Sequence, residues 1–136
     1  MLEQNKTLVR QFVEEFMNGR DDDAARRYVA SDVQWRIGAH MLDSVEMLIG
    51  ANSSYLNSFP DWQGTVDDQI AEGNKVVTRI TFSGTHQGEF QGIPATGNRV
   101  TVTAIFIVRI EDGQIAEAWR NGDDMGMMMQ LNAMPG

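Results

Sequence analysis

The chain has 136 residues, with 19 acidic against 11 basic side chains, a formal net charge of −8, and no cysteine. That length suits one domain around one hydrophobic core, so a single domain over residues 1–136 is expected. The acidic balance, without a basic run, argues against nucleic-acid binding, and the lack of thiols excludes disulfide and cysteine chemistry.

No apolar stretch approaches the roughly 20 residues that span a bilayer, so no membrane partner is expected. The polar opening LEQNKTLVRQ is unlike a secretory signal, and the expected compartment is the cytoplasm. The histidines, His40 and His86, lack an HxxxH spacing, and no glycine-rich phosphate loop follows a strand. The expectation is no metal and no cofactor.

Leu8, Val9, Phe12, Val13, Phe16 and Met17 recur at helical spacing and predict an amphipathic helix, stopped by Asn18-Gly19. Asp21 to Asp23 offer cap oxygens for a short second helix, AARRYVA, which Ser31-Asp32 ends. VQWRI then alternates as a strand with Val33, Trp35 and Ile37 on one side. GAHML reads as a loop. A third helix is expected from about Ser44 to Ser58, capped by Asp43 or Ser44 and closed by Pro60-Asp61.

From Trp62 onward the pattern is strands: WQGTVDDQIAE, KVVTRITFSGTH, RVTVTAIFIVRI and QIAEAWRNGDD. Gly73-Asn74 and Asp112-Gly113 are hairpin turns, and GEFQGIPATGN is a long loop. The tail MGMMMQLNAM reads as a short helix lying on apolar surface between Met125 and Met134. Three helices followed by a meander predict an α+β fold. Its form would be a cone-shaped barrel, with three N-terminal helices packed in a curved, mostly antiparallel sheet.

His86 shares a strand face with Val76, Thr78, Ile80, Phe82 and Gly84, the more apolar face, which should look into the cone. Two roles fit: a buried histidine satisfied by loop groups, or a titratable pocket group. On the last strand Ile115, Glu117, Trp119, Asn121 and Asp123 share a face if no bulge intervenes. Trp119 is a natural core residue, which brings Asn121 and Asp123 to the pocket side. Strand directions put Asp123 and His86 at one end of the sheet with one strand between, roughly 10 Å apart. Alternatively, Asp123 caps the tail helix.

Together, NKTLVRQFVEEFMN, FPDW, IAEGNKVVTRITFSGTHQGEFQGIPATGN, VRIEDGQIAEAW and the D-x-M-G before the tail resemble the SnoaL-like polyketide cyclases of the nuclear transport factor 2-like superfamily. The resemblance covers nearly the whole chain. It implies cofactor-independent aldol ring closure, with an acid/base aspartate that falls on Asp123 by the W-x-x-x-D spacing and with His86 as its partner. Trp35 replaces a histidine found in many relatives, and Arg120 replaces an acidic residue.

An enzyme reading takes Trp35, Tyr55, Phe82, Phe106, Trp119 and Asn121 as pocket lining, with an apolar small molecule as substrate. The alternatives are a non-catalytic binder of the same shape, or an isomerase or hydrolase in the same cone. A hydrolase would need an arginine between carboxylates at the mouth, whereas Arg109 and Glu111 abut the opposite turn. Ile105 and Ile107, left on the outer face of their strand, predict a homodimer or higher homo-oligomer through the sheet.

Overall fold

The structure, a computed structural model, describes residues 1–132. Helix α1, Leu2–Phe12, continues as a π-helical stretch, Val13–Asn18, and together they bury Val9, Phe12, Val13 and Phe16. Asn18 ends the stretch with a crosslink. Its amide accepts from the Gly64 N–H and donates to the Gly64 carbonyl, both at 2.8 Å. The helix stop predicted from Asn18-Gly19 is thus also an anchor to the sheet.

Helix α2, Asp22–Tyr28, is capped by the Asp21 carboxylate, which accepts from the Asp23 N–H. It has seven residues, as many as AARRYVA, but begins and ends two positions earlier. Val29, Ala30, Ser31 and Asp32 belong instead to strand β1, Val29–Ile37, because Val29 pairs with Ile115 and is fully buried. The segment expected as a loop folds back as β2, His40–Leu42, antiparallel to β1. Helix α3, Val45–Ser58, starts from Ser44, whose hydroxyl accepts from the Met47 N–H.

Strands β3 (Gln63–Glu72), β4 (Lys75–Thr85), β5 (Arg99–Glu111) and β6 (Gln114–Gly122) form the predicted meander. The sheet order is β2-β1-β6-β5-β4-β3. Only the β1–β6 pairing is parallel among the described strands. The result is the expected α+β cone, a curved sheet left unclosed with the helices on one face. Along β4 and β5 the burial alternates strictly. Val76, Thr78, Ile80, Phe82, Val100, Val102, Ala104, Phe106, Val108 and Ile110 all face inward.

Helix α4, Asp124–Gln130, closes the described chain. The Gln130 amide accepts from the Thr101 N–H and donates to the Thr101 carbonyl, pinning α4 beside β5. Met127 and Leu131 are buried beneath it, while Met125 and Met129 stay exposed. The tail therefore covers apolar surface through part of its length, and Met134 lies outside the described residues.

FPDW joins α3 to the sheet. Phe59 is fully buried and packs on the His86 ring at 5.4 Å, and Trp62 stacks on Phe82 at 5.4 Å with the rings 5° from parallel. The Asp61 carboxylate accepts from the Thr85 N–H at 2.6 Å and the Thr85 hydroxyl at 2.8 Å. Burying a phenylalanine contributes about 2–3 kcal/mol, so the motif anchors α3 through apolar area and uses Asp61 to fix its register.

The Thr85 N–H, more than any other group, holds the Asp61 carboxyl below its usual range. A carboxyl depressed on folding contributes stability above its unfolded pKa and loses it as pH falls through the folded value. Asp61→Ala should therefore lower the Tm at neutral pH, with the deficit against the parent shrinking as the solution is acidified. A deficit independent of pH would assign Asp61 a packing role alone. Gly88 gives a second test, because a Cβ there would collide with the Asn57 carbonyl oxygen. Gly88→Ala should cost about 1–3 kcal/mol in urea unfolding, and an unchanged midpoint would refute the close packing of loop on α3.

Candidate functional site

An aromatic run crosses the interior from Phe16 and Phe12 through Trp35, Phe106 and Phe82 to Trp62, Phe59 and Tyr55. Between this run and α3 lies a small, open-mouthed cavity with about 90 Å³ of space for water-sized groups. Trp35 and Ile37 of β1, Phe82 of β4, Phe106 of β5 and Leu48 of α3 supply apolar wall. Polar lining comes from Asn52 and Tyr55 of α3 and Arg120 of β6.

Four expected lining residues, Trp35, Tyr55, Phe82 and Phe106, are therefore in place, and two are not. Trp119 and Asn121 face outward, as the strand register explains. Ile110 pairs with Ile115, but Arg109 pairs with Glu117, so Ala116 is an extra residue in β6. One inserted residue exchanges the two faces of everything beyond it. Ala118, Arg120 and Gly122 pair with inward Val108, Phe106 and Ala104, while Trp119 and Asn121 pair with outward Ile107 and Ile105. Trp119 lies instead under the cations of Arg36 and Lys75, at 5.2 and 5.5 Å.

Asp123 follows the same phase change. It is exposed, caps α4 by accepting from the Gly126 N–H at 2.9 Å, and does not line the cavity. Nor does it face His86 at the expected spacing. Asp123 meets β5 at Thr103 and His86 meets the chain at Asn98. At about 3.3 Å per residue that interval alone is roughly 17 Å. Of the two roles weighed for Asp123, capping is the one its hydrogen bond supports.

His86 is on the inner face but enclosed, with 0% of its surface exposed, and it too is absent from the lining. The Thr96 N–H donates to Nδ1 at 3.2 Å, and the Thr96 hydroxyl lies 3.0 Å from the same atom. Nδ1 thus acts as an acceptor, which puts the ring proton on Nε2. Nε2 is buried without a partner, against Phe59. The ring closes the GEFQGIPATGN loop on itself, aided by bonds from the His86 N–H to Asn98 and from the Gly97 N–H to His86.

Arg120 is the residue that alternation without a bulge sends to the wrong side. Its side chain is 16% exposed, and its Nη1 and Nη2 lie 3.4 and 3.2 Å from the Asp124 oxygens. Gly122 leaves space for it, since a Cβ there would overlap the guanidinium. Burial, foremost, raises the Tyr55 phenol above its ordinary range, while the nearby Arg120 charge pulls it down. Tyr55 is thus a hydroxyl donor near neutral pH. Asn52 was legible as a polar residue on the face of Leu48 and Tyr55, but nothing in the sequence marked the Ala116 bulge.

Arg109 does sit between two carboxylates, bonding Glu117 at 3.0 Å and Glu111 at 2.9 Å. Hydrogen bonds from Arg109, foremost, and from Arg36 depress the Glu117 carboxyl. The cluster is on the outer face, away from the cavity. Among the described residues no group of three or more His, Cys, Asp or Glu is arranged to hold a metal ion. No helix among them is long and apolar enough to cross a membrane.

A family profile described as SnoaL-like polyketide cyclase matches residues 7–131. A comparison with curated protein sequences returns no match. Among solved structures, TsrD from Streptomyces laurentii is 31% identical with a TM-score of 0.88, over 97% of this chain and 97% of that one. IdmH from Streptomyces antibioticus, a proposed polyketide cyclase, is 29% identical with a TM-score of 0.83, over 95% and 99%. AclR from Streptomyces galilaeus, a proposed hydroxylase, is 27% identical with a TM-score of 0.89, over 100% and 89%. The chain belongs to the SnoaL-like polyketide cyclase family.

Proposed function

We propose that this protein binds an apolar, enolisable carbonyl compound in the cavity and moves a proton on it, the step that begins an aldol ring closure. The observation that carries this reading is the convergence of Arg120, Tyr55 and Asn52 on an otherwise apolar cavity. Removing an α-proton puts negative charge on the carbonyl oxygen. Fixed N–H and O–H donors in a water-poor site stabilise that charge more than water does. The reaction draws on substrate acidity and protein dipoles and calls for no cofactor.

Among the described lining residues none is Asp, Glu or His. The proton acceptor in this reading is Asp124, the carboxylate bonded to Arg120. Asp123, the base that the family resemblance implies, is engaged as the α4 cap. His86 is a structural residue that closes the loop. A non-catalytic binder is the second reading, favoured by that same engagement of Asp123.

Deuterium uptake at the α-carbon of an aryl ketone such as phenylacetone, followed by proton NMR in D2O, separates these readings. Arg120→Met should slow catalysed exchange by about 10²-fold, and Asp123→Asn, which keeps a good cap, should leave it nearly unchanged. Loss of exchange in a folded Asp123→Asn variant would return the base role to Asp123. Binding of the ketone without any exchange would favour the binder.

We also propose a homodimer through the outer sheet face, where Ile105 and Ile107 are 45% and 37% exposed. Light scattering at micromolar concentration should give about twice the 15.2 kDa chain mass. Ile105→Asp should halve it. A monomeric mass for the parent protein would rule the dimer out.

A further inference from the structure

We infer that the cavity selects ligands carrying an anionic oxygen, such as a carboxylate, on an apolar body, and that Arg120 is the selecting residue. This rests on the cavity being the binding site, as proposed above. Arg120 is turned inward by the Ala116 bulge and is largely withdrawn from water. A cation in that position needs hydrogen-bonding partners of opposite charge.

Its one anionic partner among the described residues is Asp124, and the pairing is loose. The distances of 3.2 and 3.4 Å exceed the about 2.7–2.9 Å of a close charge-assisted bond. Asp124 is itself 70% exposed, so water screens its charge. Arg120 keeps donors that this carboxylate does not use.

The neighbouring polar groups point to the same ligand chemistry. Tyr55 presents a hydroxyl kept protonated by burial, and Asn52 carries an amide able to donate. Charged acceptors are missing from the described lining, so the polar end is rich in donors and the rest of the wall is apolar. A neutral ligand would leave the guanidinium paired only with Asp124. An anionic one would share it or displace that carboxylate. Since the chain as a whole carries −8, this local cation, not the overall field, would have to attract the anion.

Two fluorescent probes differing by one group test the inference: 1-anilinonaphthalene-8-sulfonate and its uncharged counterpart N-phenyl-1-naphthylamine. The parent protein should bind the sulfonate about tenfold tighter. Arg120→Met should erase that preference while retaining affinity for the neutral probe, and Arg120→Lys should keep much of it. Asp124→Asn should tighten the sulfonate alone, by removing its competitor. Circular dichroism checks that each variant is folded.

Equal affinities in the parent would overturn the inference and leave the cavity reading intact. So would an Arg120→Met variant that weakens both probes equally while Arg120→Lys does the same. Failure of both probes to bind the parent would overturn the cavity reading, and this inference with it.

Discussion

A single extra residue in β6 governs the chemistry of the interior. With Ala116 bulged, the strand beyond it presents Ala118, Arg120 and Gly122 to the core and Trp119 and Asn121 to the outside. Without the bulge a tryptophan would enter the cavity and the arginine would leave it. The bulge thus adds a cationic group to a chamber whose other polar lining is Asn52 and Tyr55. It also decides what the outer surface carries, because Trp119 then covers the sheet beneath Arg36 and Lys75.

The cavity's shape depends on how α3 is held. Phe59 and Trp62 attach its C-terminal end to β4 through ring packing, and Asp61 fixes the alignment through Thr85. The loop after β4 adds to this hold. Gln87 and Gly88 donate backbone bonds to the Ser58 carbonyl, and the Ser58 hydroxyl donates to the Glu89 carbonyl. His86 closes the loop through Thr96. Its strand ends in a histidine because an acceptor nitrogen is needed there to hold the returning chain, and the same ring leaves Nε2 unpaired.

Charge is distributed unevenly over these parts. Most ion pairs lie on the surface, where each contributes little. The Arg36–Glu117–Arg109 chain braces the outer face across β1, β6 and β5. Arg120 differs in facing inward while its carboxylate partner stands in solvent. That asymmetry makes it available to a ligand in a way that the outer arginines are not.

Element types, the α+β class and the inward faces of β4 and β5 were legible in the chain alone, since period-2 alternation and helical spacing are local properties. The family was legible too, through motifs such as FPDW and GTHQGEF. Tyr55, Phe82 and Phe106 face the cavity as their local spacing implies because no irregularity interrupts their elements before those positions, and Trp35 does so because the register shift in β1, between Val29 and Gln34, leaves the Val33–Trp35 alternation intact. For Trp119, Asn121, Asp123 and Arg120 the outcome came from tertiary pairing. The bulge at Ala116 arises from how β6 pairs with β5 on one side and with β1 on the other. Neither pairing is written in the β6 segment, and a phase shift of one residue is enough to exchange its two faces.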